Sequence, residues 1–384
     1  MRAFVFTDPA LTSRAGQFVW LEMNDDDERN AALAERLSVE ALPTFFVLDP
    51  ADESVVMRRE DGMTVAEMDA FLEEARRAAS GRGSSSPVEA ALLRADRLSG
   101  EGKKAEAAAA YHEALDQAPA GWPPYGRAVA ALLFLHQMQD ENAKCLALAR
   151  AALPGLSGAP AAVMVARSGL DCALGLKKED TGRAAAIAEM EAATRRSLAD
   201  PTLGAAADDV SSSYPSLIQA RKDAGDAAGA KKDAEAWATF LGAQAAGAKS
   251  PEQRAVFDSH RLLAYLELKQ PERAIPMLQA SEADLPGDYN PPARLAVAYF
   301  EMKKLDEALA ASSRALPKVV GPRRIQVLQR RSDILAAKGD ATAAREALEQ
   351  ALAYAESLPP GQRSERTIQA LKKRLEQPPT KPAS

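Results

Sequence analysis

The 384-residue sequence predicts a mainly α-helical chain, an α-solenoid of about seven helical hairpins over residues 88–376 behind a small, incomplete α/β domain over residues 1–79. Three observations carry this expectation. Alanine pervades a composition with only 5% aromatic residues, and alanine both favours helix and lets neighbouring helices approach closely. A triplet of small and apolar residues recurs along the chain after residue 100. The first 79 residues differ in character and hold runs of β-formers.

Taken in order, Phe18–Met23 reads as a strand and Asn30–Leu37 as a short helix. Pro43–Asp49 reads as a compact strand, followed by the turn signal Asp49, Pro50, Asp52 and a second strand over Ser54–Arg58. Thr64 opens a helix, with Glu67 three residues on as in a capping box, and the apolar positions Met68, Phe71 and Leu72 carry it to Arg77. The consecutive acids Asp25, Asp26 and Asp27 stand before a helix, where they favour its dipole rather than hold a metal. Residues 80–87 form a Gly/Ser linker in which Pro87 can open the next helix. The proline-rich, polar residues 377–384 read as a disordered tail.

The helical region repeats itself. The triplet occurs as Ala107, Tyr111, Ala114; Cys145, Ala149, Ala152; Ala186, Met190, Ala193; Ala230, Ala234, Trp237; Ala274, Leu278, Ser281; Ala308, Ser312, Ala315; and Ala344, Leu348, Ala351, at offsets of 38, 41, 44, 44, 34 and 36 residues. Positions i, i+4 and i+7 share one helix face, so small groups there let the second helix of a hairpin nest against the first. Five residues before each triplet stand Gly102, Asp140, Thr181, Gly225, Lys269, Lys303 and Gly339, turn formers or polar residues placed where two antiparallel helices must join. Pro119, Pro154, Pro286 and Pro317 mark where second helices stop. Each hairpin leaves a face that only stacking can bury.

These residues resemble the tetratricopeptide (TPR) repeat family over roughly residues 87–376. The cleanest unit runs from Leu295, Ala296 and Tyr299 through Ala308 to Arg314, Ala315 and Pro317, and the middle units depart from the pattern in spacing. The resemblance implies a protein or peptide partner bound in a concave groove lined by each unit's first helix. His260, Arg294 and Arg330 each lie fourteen residues before their triplet, a position that faces the groove in the family. They form a candidate basic stripe for a carboxylate. Gln326, Gln329 and Asp333 stand where the chaperone-binding TPR clamp needs Lys and Asn, so that ligand is not implied.

Leu37–Asp49, containing Leu42, Pro43 and Thr44, resembles the helix end, cis-proline turn and following strand of the thioredoxin superfamily. Phe18–Met23 matches the strand before it, and Gly62 with the helix from Thr64 matches the domain's end. Pro43 is then the implied cis-proline and Leu42 the residue whose backbone faces a bound peptide. The Cys-x-x-Cys such an enzyme needs for its thiolate is absent, and Met1–Leu11 resembles the stretch just after it. The missing strand would be central to the sheet. Its loss would leave amides unpaired at about 1–3 kcal/mol each, which leads to the expectation that Met1 is not the biological start.

The formal charge of −6 gives no general attraction for nucleic acid. No apolar run reaches the roughly 20 residues that span a bilayer, so no membrane insertion is expected. Cys145 and Cys172 have neither redox nor metal spacing and read as small buried hydrophobes, and His112, His136 and His260 are scattered. No catalytic residue, metal or cofactor is implied. The leading expectation is an interaction protein with a cysteine-free thioredoxin-like module. The alternative is a thiol–disulfide oxidoreductase whose cysteine pair lies upstream. The first goes with a cytoplasmic site if Met1 is genuine, the second with the periplasm or envelope.

Overall fold

The computed structural model describes Met1, residues 3–79 and residues 86–376. The expected tail, 377–384, and residues 80–85 of the expected linker lie outside the described residues. Ser86 and Pro87 already belong to a helix start: the Ser86 hydroxyl accepts from the Glu89 amide at 3.4 Å and Pro87 is the first helical residue.

Among the described residues the order is α1 (Ala31–Arg36), β1 (Thr44–Leu48), β2 (Val55–Glu60), α2 (Val65–Ala79), α3 (Pro87–Gly100), α4 (Lys104–Asp116), α5 (Tyr125–Met138), α6 (Asn142–Ala152), α7 (Ala161–Gly175), α8 (Arg183–Leu198) and α9 (Ala207–Asp223). There follow α10 (Ala227–Ala246), α11 (Pro251–Ala255), α12 (Asp258–Glu267), α13 (Ala274–Asp284), α14 (Asn290–Glu301), α15 (Leu305–Ala315), α16 (Pro322–Ala337), α17 (Ala341–Ser357) and α18 (Glu365–Glu376). The chain is mainly helical. It divides into two compact units, one of residues 1–19 and 37–233, the other of residues 20–36 and 234–384.

The turn expected five residues before each triplet is built the same way in six of the seven helix pairs. Gly102, Asp140, Gly225, Lys269, Lys303 and Gly339 all have left-handed φ, between 55° and 84°. In each, the next residue's amide donates back to the carbonyl five positions earlier at 2.8–3.0 Å: Lys103 to Leu98, Glu141 to His136, Asp226 to Arg221, Gln270 to Tyr265, Lys304 to Tyr299 and Asp340 to Leu335. This is a Schellman closure, which satisfies the last helical carbonyls and turns the chain. Thr181 is the exception. The loop after α7 is longer, and the Arg183 side chain caps the helix end instead, donating to Leu174 O at 3.0 Å and Leu176 O at 3.1 Å.

All twenty-one triplet residues are buried, none more than 8% exposed. The long middle offsets come from added pieces, a 3-10 turn over Pro201–Leu203, the 20-residue α10 and the extra short helix α11. The cysteine expectation is corrected. Cys145 on α6 and Cys172 on α7 are buried, but they are joined in a disulfide, with 6.0 Å between their α-carbons. The 27-residue separation carries one helix into the next, a relation that spacing alone does not reveal.

In the first unit β1 and β2 pair antiparallel, Thr44 opposite Glu60 and Leu48 opposite Val55, with an irregularity at Val47/Leu48. The Asp49 and Asp52 carboxylates accept from Ala51 N at 2.8 Å and Ser54 N at 2.9 Å and fix the turn between them. Met57, Val5, Leu11, Met63, Met68, Phe71, Leu72 and Ala75 form a small core under the sheet. The capping box closes both ways, Thr64 N to Glu67 Oε2 at 2.9 Å and Glu67 N to Thr64 Oγ1 at 3.2 Å.

The strand expected at Phe18–Met23 does not form. A strand needs a neighbour for its backbone groups, and the sheet among the described residues has two strands, β1 and β2. Val19 and Leu21 are left 89% and 77% exposed.

Candidate functional site

In the second unit α12, α14 and α16 are the first helices of three successive hairpins. α12 packs beside α14, and α14 beside α16. His260 sits on α12, Arg294 on α14 and Arg330 on α16, so the three expected groove residues fall on adjacent helices. Each already has local company. The His260 ring lies 5.9 Å from that of Trp237. Arg330 stacks over Phe300 at 5.2 Å and comes within 3.9 Å of Asp333.

Arg294 is half-buried, bonds weakly to Asn290 Oδ1 at 3.4 Å, and feels the charges of Asp258 and Asp288. Burial is the larger influence and lowers its pKa. Asp258, on α12, is fully buried, and its Oδ2 accepts from Ser281 Oγ at 2.6 Å. Burial raises its pKa against the neighbouring arginines.

A second feature of this unit went unseen in the sequence. Residues 24–31 lie against loops that join successive repeats. Arg323 Nε, in the first turn of α16, pairs with Asp26 Oδ2 at 2.7 Å. The Tyr289 hydroxyl lies against the same guanidinium. The Gln362 amide, in the turn between α17 and α18, donates to the Asp25 carbonyl. Gly321 has φ 62° and ψ −162°, and a β-carbon there would run into the Asp26 backbone. One on Gly361 would run into the Ala31 carbonyl. Tyr354 Oη accepts from Gly321 N at 3.0 Å and fixes that loop.

Burial raises the Asp26 pKa even beside Arg323. Asp27 caps the turn that leads into α1, accepting from Arg29 N at 3.0 Å. No group of three metal-ligating side chains occurs among the described residues. The signal available was the Gly321–Pro322 step before Arg323, opposite in charge to Asp25–Asp27.

In the first unit the Leu42–Pro43 bond is cis, Thr44 Oγ1 donates to Ala41 O at 2.6 Å, and Leu42 is 52% exposed. Nearby lies a buried polar network. Arg58, 2% exposed, donates to Ser99 O at 2.6 Å and Ser38 O at 3.0 Å and pairs with Glu60 at 2.7 Å. Arg127 pairs with Asp96 at 2.7 Å and Glu74 at 2.6 Å, and Tyr111 Oη donates to Asp96 at 2.6 Å. Every charge in it is partnered, which is the arrangement of a structural network. Burial nevertheless pushes Asp96 up to about 6. Asp209 is pushed up to about 7 by burial and by Asp61 and Glu67.

Residues 265–331, from the end of α12 into α16, match the tetratricopeptide repeat family. This segment carries the tetratricopeptide repeat pattern. The matched TPR segment contains Arg294 and Arg330 and begins five residues after His260. Among solved structures, the chain is similar to a tetratricopeptide repeat protein from Parabacteroides merdae (15% identity, TM-score 0.43, over 76% of this chain and 99% of that one). It is also similar to the APC/C hetero-tetramer Cut9-Hcn1 (13%, 0.36, over 80% and 55%). A third is the TPR2AB domain of yeast Sti1 in complex with an Hsp90 peptide (16%, 0.28, over 76% and 98%). No curated protein sequence matches the chain. No described helix is long and apolar enough to cross a membrane.

Proposed function

We propose that the chain is an interaction protein whose TPR repeats hold an extended segment of a partner protein along α12, α14 and α16. The observation that carries this is the row of His260, Arg294 and Arg330 on three adjacent first helices, the two arginines inside the matched segment. The Arg330 side chain is 34% exposed. An arginine held over an aromatic face keeps its planar fork available to a carboxylate.

In this reading the thioredoxin-like piece supplies a surface rather than a redox centre. The support is the order of turn at Leu42–Thr44, strand, strand and helix, and the exposure of Leu42. Both cysteines are buried in the repeats and bonded to each other. A structural disulfide persists in oxidising compartments, which supports an extracytoplasmic site of action. The test is capture of a partner by the tagged full chain. Arg294→Ala with Arg330→Ala should lower the recovered partner at least tenfold while the circular dichroism spectrum stays unchanged. Undiminished capture would overturn the groove assignment.

A further inference from the structure

Residues 24–31 meet the C-terminal repeats as a bound peptide would, through backbone and one carboxylate. Two glycines in the inter-repeat loops, Gly321 and Gly361, stand where any β-carbon would collide with the Asp26 backbone or the Ala31 carbonyl. The Gly321 conformation, φ 62° and ψ −162°, is open essentially to glycine alone. Gln362 takes the Asp25 carbonyl and Arg323 the Asp26 carboxylate. The charge suits the place, since Asp26 also meets the N-terminal turn of the 16-residue α16. These contacts read the backbone of an acidic turn, bonded from Asp27 N to Asn24 O at 3.1 Å, and little of its other side chains.

We propose that residues 24–31 are a ligand held in cis, and that an acidic segment of a partner protein, taking the same turn, competes for the same cradle of Gly321, Arg323, Gln362 and Gly361. This deepens the interaction reading above and rests on it. A tethered segment has an effective concentration of about 1 mM. If its intrinsic Kd is about 10–100 µM, it weakens a competitor's apparent affinity about 10- to 100-fold.

The probe is a fluorescein-labelled peptide of residues 20–36, titrated with the full chain and followed by anisotropy. The wild-type chain should bind it weakly. Asp25→Lys with Asp26→Arg, which drives the segment away from Arg323, should bind it at least tenfold tighter. Adding Arg323→Glu should remove that gain. Arg323 is 42% exposed, so this charge reversal leaves the core untouched, and Gly321→Ala should act in the same direction. Equal binding by wild type and the Lys/Arg variant, no binding by either, or a gain that survives Arg323→Glu would each overturn the proposal. A chain that captures its partner through Arg294 and Arg330 yet shows no gain here loses only the cis ligand. A chain that shows the gain while capture ignores Arg294 and Arg330 keeps the cradle and loses the groove.

Discussion

The six Schellman turns allow the backbone term of a repeat to be measured by itself. A left-handed residue other than glycine costs about 1–2 kcal/mol, and glycine gives back about 0.5–1 kcal/mol through its freer unfolded chain. The net is about 0.5–1 kcal/mol in favour of glycine. Gly225 and Gly339 have φ 72° and 84°, and a β-carbon at either meets nothing within 4 Å. Gly225→Ala and Gly339→Ala should therefore each lose about 0.5–1 kcal/mol with no packing contribution.

Gly102→Ala should lose more, because its β-carbon would stand 2.8 Å from Ser38 Oγ. In the other direction, Lys269 is exposed at φ 57°, and Lys269→Gly should gain about 0.5–1 kcal/mol. Lys303→Gly should gain less, since Lys303 Nζ lies 5.7 Å from the Phe300 ring centre and that contact is worth about 0.5–1 kcal/mol. Urea unfolding of the full chain gives the ranking. Amide exchange at Asp226, Gln270, Lys304 and Asp340 shows whether each effect stays in its own repeat, as nearest-neighbour stacking requires. A costless Gly225→Ala, or a Lys269→Gly that fails to stabilise, would refute the reasoning.

Three further outcomes are expected. Arg127→Met leaves Asp96 and Glu74 without their cation, and should cost about 3–5 kcal/mol in a denaturant midpoint analysis. Asp96 and Asp209 have folded pKa values raised to about 6 and about 7, above the ordinary 3.8. Their contribution is therefore complete below about pH 4 and lost as pH rises through 6 to 7. Melting should show a more stable chain at pH 5 than at pH 8, and Asp209→Asn should narrow that gap by stabilising the pH 8 sample. Thiol titration of the denatured, unreduced chain should find no free cysteine. Reduction should lower stability by up to about 3.5 kcal/mol from the closure entropy of the 27-residue loop.

The repeats were legible because their determinants are local. A small residue at i, i+4 and i+7 fixes a helix face, and a residue able to take positive φ five positions earlier fixes the turn, so Ala308 and Lys303 announce each other in one short window. The same window failed at Thr181, where the cap comes from a side chain, Arg183, on the following helix. Phe18–Met23 failed for a different reason. Its β-formers state a preference, but a strand is a property of two segments, and the sheet among the described residues pairs β1 with β2. The disulfide was illegible in the same sense, since Cys145 and Cys172 become neighbours only once α6 lies on α7.

The residues proposed for the groove show how far a register argument reaches. Equal distance from the triplet places His260, Arg294 and Arg330 on adjacent helices because the hairpins are alike. It cannot say what each side chain meets there. Arg294 lies among Asp258, Asp288 and Tyr289, and burial costs its charge more than those neighbours return, so its pKa falls. Arg323, outside the register, keeps an exposed edge, and there burial is outweighed by Tyr289, Asp26 and Asp25, so its pKa rises. An arginine already deep among carboxylates gains little from another. One at a half-open helix start, beside a glycine that admits backbone, still has its attraction to spend, and there the chain's own Asp26 is found. A partner's carboxylate arriving at this unit meets the same inequality. Its first contact is expected at Arg323 or Arg330, and Arg294→Ala alone should change the pH dependence of capture, through Asp258, more than its strength.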